Sequence, residues 1–131
     1  MLGVAAVDDR EMQSYVNAWR RRGERAEAAR RARVAAAWDA ARALAALLRQ
    51  EFGASEVWVF GSLALDARGI KTFRRHSDID LAARGIPKER FFAAQGRLLM
   101  AADFPVDLID LDDCPPSWQK TVARDGIPLG N

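Results

Sequence analysis

The stretch Val57-Trp58-Val59-Phe60-Gly61-Ser62, read together with Ser77-Asp78-Ile79-Asp80-Leu81, decides the fold. The first run is β-branched and aromatic and stops at a small-residue turn, which predicts a strand over Glu56–Phe60. The second predicts a strand over Ser77–Ala83. Side chains alternate across a strand, so Asp78 and Asp80 leave from one face. Glycine at a strand end lets a phosphate approach the backbone, and the exposed N–H groups that follow favour an anion. A Gly-Ser turn beside two carboxylates therefore has the parts of a site that holds a nucleotide phosphate through a metal ion.

Toward the C-terminus, a short helical turn over Leu63–Ala67 is followed by a basic loop, Arg68 to His76. Gly85-Ile86-Pro87 is a break, with Pro87 suited to the first turn of a helix over about 87–102. That helix is expected to bury Phe91, Leu98 and Leu99. Pro105–Leu111 reads as a third strand, Asp112–Pro116 as a turn, and Ser117 as the cap of a last helix reaching about Asp125. Gly126-Ile127-Pro128-Leu129 is a short extended tail. On the third strand Asp107 shares its face with Ile109 and Leu111, and an acid on an apolar face calls for a partner or an ion. Asp110 opens an acidic turn and reads as a solvated strand end, so Asp107 is the better candidate for a third carboxylate. Carboxylates within ~5 Å repel by about 3 kcal/mol per pair at an effective dielectric of 20, a cost that a divalent ion removes.

Toward the N-terminus, residues 9–52 contain no proline and read as one helix, with Gly23 its one weak point, at about 1 kcal/mol against alanine. Val34, Trp38, Ala41, Ala45, Leu48 and Phe52 form an apolar stripe suited to packing on a sheet. Upstream the stripe turns charged, then returns as Met12, Val16 and Trp19. The second half of the helix is expected to pack on the core and the first half to project. Between them, Arg20–Arg33 holds seven arginines against two glutamates. Three roles stay open for this run: a solvated face, a docking surface for an acidic partner, or a nucleic-acid contact.

Composition narrows the chemistry. The 131 residues are half hydrophobic and 29% charged, which suits one globular domain. Cys114 is alone, which excludes an internal disulfide and a multi-cysteine zinc site. His76 is the only histidine, so a metal would sit on carboxylate oxygens, as Mg²⁺ or Mn²⁺ does. The first ten residues lack a basic-then-apolar signal layout, and no apolar run is long enough for a membrane span, so a cytoplasmic protein is expected. A net charge of +2 is too mild to imply nucleic acid by itself.

Strand, Gly-Ser, Asp-x-Asp on the next strand and a lone Asp on the one after resemble the nucleotidyltransferase superfamily that includes DNA polymerase beta, and most closely its minimal nucleotidyltransferases (MNT proteins). The resemblance covers about residues 56–111. It implies an α/β domain of α+β type: a small mixed sheet with helices packed on it over 53–131, here preceded by the long helix of 1–52. It implies that Gly61 and Ser62 hold the triphosphate. Asp78 and Asp80 would bind the metals, two Mg²⁺ ions, and Asp107 would help activate the acceptor. The implied reaction transfers AMP from ATP to a hydroxyl of a partner protein. The implied partner is a HEPN-type toxin, which makes this chain the antitoxin. Fifteen residues separate Ser62 from Asp78, more than is usual in the family, and lengthen the basic loop 66–76. Its Lys71, Arg74, Arg75 and His76 could clamp pyrophosphate, contact a partner or be solvated. A non-catalytic module that neutralises its partner by contact, and a basic nucleic-acid binder, are the rival readings; a homo-oligomer is compatible with each.

Overall fold

The computed structural model describes residues 8–130; the N-terminal reading at residues 1–7 and the final residue lie outside them. The chain opens with α1, Asp9–Phe52, 44 residues long. Asp8 caps it, its carboxylate accepting the Glu11 N–H at 2.8 Å. Gly53 ends it with φ 75°, a left-handed conformation in which glycine carries no β-carbon penalty. The helix runs through Gly23 without a break. Burial begins at Ala37 and continues through Ala41, Leu44, Ala45, Leu48 and Phe52, with Val34 and Trp38 packed against them. The alanines at 37, 41 and 45 let the helix backbone lie close to the sheet. Nothing N-terminal to Ala37 is buried among the described residues.

Behind α1 stands a four-stranded mixed sheet in the order β3-β2-β1-β4. Its strands are β1 (Glu56–Phe60), β2 (Ile79–Arg84), β3 (Val106–Asp110) and β4 (Ile127–Leu129), joined by α2 (Gly61–Ala67), α3 (Lys88–Ala101) and α4 (Pro116–Asp125). β1 is antiparallel to β2 and to β4, whereas β2 and β3 are parallel and joined through α3. One face of the sheet, with Val57, Val59, Ile79, Leu81, Val106 and Leu108, forms the main core with α1 and α3. The opposite face is smaller: Ala82, Leu111 and Val122 are buried, with Trp58, Phe60, Ile109 and Cys114 packed around them under α4. No described helix is long and apolar enough to cross a membrane.

The α+β architecture expected from the sequence is the one found, with local corrections. The tail is not merely extended: Ile127–Leu129 pairs with β1 as a fourth strand. Its Pro128 is tolerable because an edge strand can lack one N–H, and Arg49 of α1 holds the Leu129 and Gly130 carbonyls. β2 starts at Ile79 rather than Ser77, β3 spans Val106–Asp110, and α2 begins at Gly61 itself. Pro87 is the residue before α3, not its first turn. α3 buries Ala94 and Leu98, half-covers Phe91, and leaves Leu99 in solvent. Residues 91, 94 and 98 keep the spacing of one helix face, and Leu99 falls a hundred degrees off it. The last helix starts at Pro116, before Ser117, so Ser117 does not cap it.

The basic loop holds a residue that its composition conceals. Phe73 is fully buried and packs against Phe104, ring centres 6.4 Å apart. Asp66 at the end of α2 accepts the Phe73 N–H at 2.7 Å and an Arg30 guanidinium N–H at 2.9 Å. One carboxylate thus ties loop, α2 and α1 together. Phe73→Ala should cost about 3–5 kcal/mol of unfolding free energy in a urea titration; a loss below about 1 kcal/mol would show that the ring does not anchor the loop.

Candidate active site

Three registers assemble the site. Phe60 lies opposite Asp80 across β1 and β2, and Asp80 lies opposite Asp107 across β2 and β3. Phe60, Asp80 and Asp107 therefore form one row across the sheet, on the face turned away from α1. Asp78 precedes β2 and sits outside the regular strand, yet it is held nearby. Ile79 donates its N–H to the Pro105 carbonyl at 2.8 Å, which zips the start of β2 to the start of β3. Just upstream the chain is turned by a reciprocal pair: the Arg74 N–H donates to Ser77 Oγ at 2.8 Å, and the Ser77 N–H donates to the Arg74 carbonyl at 3.0 Å. As a result carboxylate oxygens of Asp78, Asp80 and Asp107 all lie within 4.8 Å of one another.

Gly61 closes the site from the β1 side. It has φ 68°, and a β-carbon built on it would collide with Oδ2 of Asp80. The turn therefore needs glycine twice, for its conformation and for the close approach of the Asp80 carboxylate. Ser62 follows at the surface end of the same turn, half-buried in α2. The structure thus brings together all five residues singled out in the sequence: Gly61 and Ser62 on one side, the three acids on the other. Asp110 is elsewhere, accepting the Asp112 N–H at 2.9 Å in the turn after β3.

The electrostatics follow from this crowding. Burial, then the neighbouring charges of Asp107 and Asp78, push the Asp80 carboxyl up to about 6, against a weaker opposing pull from Lys71. Lys71 is the loop cation whose charge reaches Asp80; it is exposed, as are Arg74, Arg75 and His76. Three oxygen donors with surplus negative charge and no histidine or cysteine among them fit a hard divalent cation such as Mg²⁺ or Mn²⁺.

No family model and no curated protein sequence matches the chain. Solved structures do. A toxin–antitoxin with AMP-PNP superposes with a TM-score of 0.57 at 22% identity, over 69% of this chain and 73% of that one. The MntA–HepT toxin–antitoxin gives 0.53 at 22% identity, over 70% of each chain. A mutant of that pair gives 0.54 at 26% identity, over 67% and 69%. This is the MNT nucleotidyltransferase fold. The resemblance carried by Gly61-Ser62, Asp78-x-Asp80 and Asp107 is matched by the fold that holds them.

What the sequence did not disclose about this MNT-type site is its apolar border. Phe60 is in the acidic row, and half-exposed Trp118 of α4 lines a cavity with it. The signal was present as an aromatic immediately before Gly61 and another at the start of the last helix.

The raised Asp80 carboxyl makes a directional prediction. Its folded value lies above that of the unfolded chain, so the metal-free protein gains from Asp80 below about pH 4 and loses that gain as pH rises to about 6. The stability of wild type relative to Asp80→Asn should fall over that window and then level off. A flat difference between pH 4 and 7, measured by denaturation in chelator, would remove the crowded-carboxylate account.

Proposed function

We propose that the chain is a Mg²⁺-dependent nucleotidyltransferase that moves AMP from ATP to a hydroxyl of a partner protein, as the antitoxin of a HEPN/MNT pair acting in the cytoplasm. The observation that carries this reading is the convergence of Asp78, Asp80 and Asp107 against the Gly61 turn. It is supported by a fold shared with a toxin–antitoxin that was solved with AMP-PNP.

In this reading Gly61 and Ser62 hold the triphosphate through backbone N–H groups and the Ser62 hydroxyl. Asp78, Asp80 and Asp107 hold two Mg²⁺ ions, which when bound neutralise the developing charge and lower the pKa of the attacking hydroxyl. Asp107 lies nearest the edge of the acidic row, since β3 is the edge strand, and faces the side from which an acceptor can approach. Its carboxylate orients the acceptor hydroxyl and takes up the proton as the acceptor oxygen bonds to the α-phosphorus. The bond from that phosphorus to the bridging oxygen of the β-phosphate breaks, and pyrophosphate leaves. Lys71, the cation placed to act on Asp80, is positioned to balance charge on the departing phosphates.

The partner is expected on α1. Its N-terminal half exposes Met12, Tyr15, Val16 and Trp19, the last at 73%. Spacings of 3, 1 and 3 put them on one face. Arg20, Arg21, Arg22 and Arg25 form no ion pair among the described residues, whereas Glu27 pairs with Arg30 and Arg31. The apolar stripe suits an apolar-striped helix of a HEPN-type protein, and the arginines, spread around the same stretch of α1, favour an acidic one. Arg30 meets Asp66 close to the end of the sheet where Gly61 and the acids lie, so the free half of α1 leaves from the catalytic end. A protein docked there is carried toward the acids.

Two experiments test this reading. Asp78→Asn with Asp80→Asn should reduce Mg²⁺-dependent transfer of labelled AMP to a co-expressed partner at least a thousandfold while leaving the fold intact. Transfer that survives in that variant would refute the metal-site assignment; a variant that still neutralises the partner would favour contact over catalysis. Separately, Trp19→Ala with Arg21→Glu and Arg22→Glu should abolish co-purification of the partner while calorimetry still records AMP-PNP binding. Retained co-purification would place the dock elsewhere, and salt-sensitive RNA binding lost instead would support a nucleic-acid role.

A further inference from the structure

The acidic row has an apolar border whose shape suits the one part of a nucleotide that acids and backbone N–H groups do not recognise. On the face turned away from α1, the row Phe60–Asp80–Asp107 is followed by the row Trp58–Ala82–Ile109. Trp118 of α4 lines a cavity of about 230 Å³ with Phe60 and Val122, and a second of about 500 Å³ with Ile109. Phe60 is on β1 and Ile109 on β3, with β2 between them, so Trp118 reaches across the middle strand on the sheet face that also carries Asp80.

The exposure of Trp118 is informative. It lies four residues before Val122, hence on the core-facing stripe of α4. Val122 is 2% exposed, yet Trp118 is 50% exposed. An aromatic on the inward stripe with open space beside it leaves a ring face unpaired next to the charged row. In the smaller cavity the Thr121 hydroxyl is already engaged, donating to the Ser117 carbonyl at 3.0 Å. What this wall offers is therefore flat apolar contact.

We propose that Phe60, Ile109 and Trp118 form the nucleobase wall of the site, with Trp118 stacking on the base while Gly61 and Ser62 hold the phosphates. This rests on the nucleotidyltransferase reading above and adds the residues that distinguish a nucleoside triphosphate from bare polyphosphate. Aromatic stacking on a base is sequence-tolerant and strong enough to show in affinity. Recognition by this wall therefore depends on the presence of a base.

Calorimetric titration of the full chain with AMP-PNP and, separately, with inorganic tripolyphosphate, both with Mg²⁺, tests the proposal. Trp118→Ala should weaken AMP-PNP about tenfold or more and leave tripolyphosphate within about twofold. Trp118→Phe, which keeps a ring, should recover most of the loss and controls for folding. Equal weakening of both ligands, or of neither, would overturn the proposal. Wild type that binds tripolyphosphate as tightly as AMP-PNP would also overturn it while leaving the phosphate site standing. Wild type that binds neither would overturn the nucleotide reading together with this proposal.

Discussion

The contact on which the rest of the site depends is between a missing β-carbon and a carboxylate. Gly61 takes a left-handed conformation that turns the chain sharply out of β1, and its bare Cα lets Asp80 press against the turn. With any other residue the turn or the carboxylate would have to move. Because the Asp80 carboxylate lies within 4.8 Å of those of Asp78 and Asp107, its displacement would break up the acidic cluster. The closeness that makes the turn useful also makes the metal-free site costly, since three carboxylates share a space of less than 5 Å. Charge repulsion is tolerated there because the sheet hydrogen bonds and the main core hold the strands in place regardless.

A second carboxylate, Asp66, does for the loop what Asp80 does for the site. Loop closure costs little for added length, so a long segment between Ser62 and Asp78 is thermodynamically acceptable; positioning it is another matter. Asp66 accepts from the Phe73 backbone and from Arg30, and Phe73 fills a place in the core. The basic residues on either side of Phe73 are thus presented from a fixed point. Of these exposed cations, Lys71 is the one whose charge opposes the rise of the Asp80 carboxyl.

Much of this was legible in the sequence, unevenly. The span of α1 could be read because a proline-free run rich in alanine and arginine and followed by a glycine leaves one reading; its Asp8 cap could not. The five site residues could be read because glycine, serine and alternating acids are chemically conspicuous. What could not be read depended on partners distant in sequence. Ile127–Leu129 becomes a strand only because the exposed edge of β1 is beside it. Asp78 falls outside β2 because the turn bonds of Arg74 and Ser77 delay its start. Phe73 was hidden among basic neighbours, since one apolar residue has no periodicity. Leu99, expected in the core, lies in solvent because helical phase and not hydrophobicity decides which side chains of α3 face the sheet.

The same long helix both completes the core and carries an uncovered apolar stripe. Tracing one face back from Leu48 through Leu44, Ala41, Ala37, Val34, Arg30 and Glu27 leads on to Gly23, Trp19, Val16 and Met12, at spacings of three and four. The face that packs on the sheet is thus continuous with the face left uncovered. Arg30 marks the change, turning from the core stripe to pair with Asp66 at the end of α2. Beyond it α1 extends about 30 Å without packing on the core, propagated from the nucleated second half at one hydrogen bond per residue. Its first half is held in line by the second half, which is locked to the core. The uncovered half of α1 is thus an extension of the same helix that packs on the sheet, not a separate element joined to it.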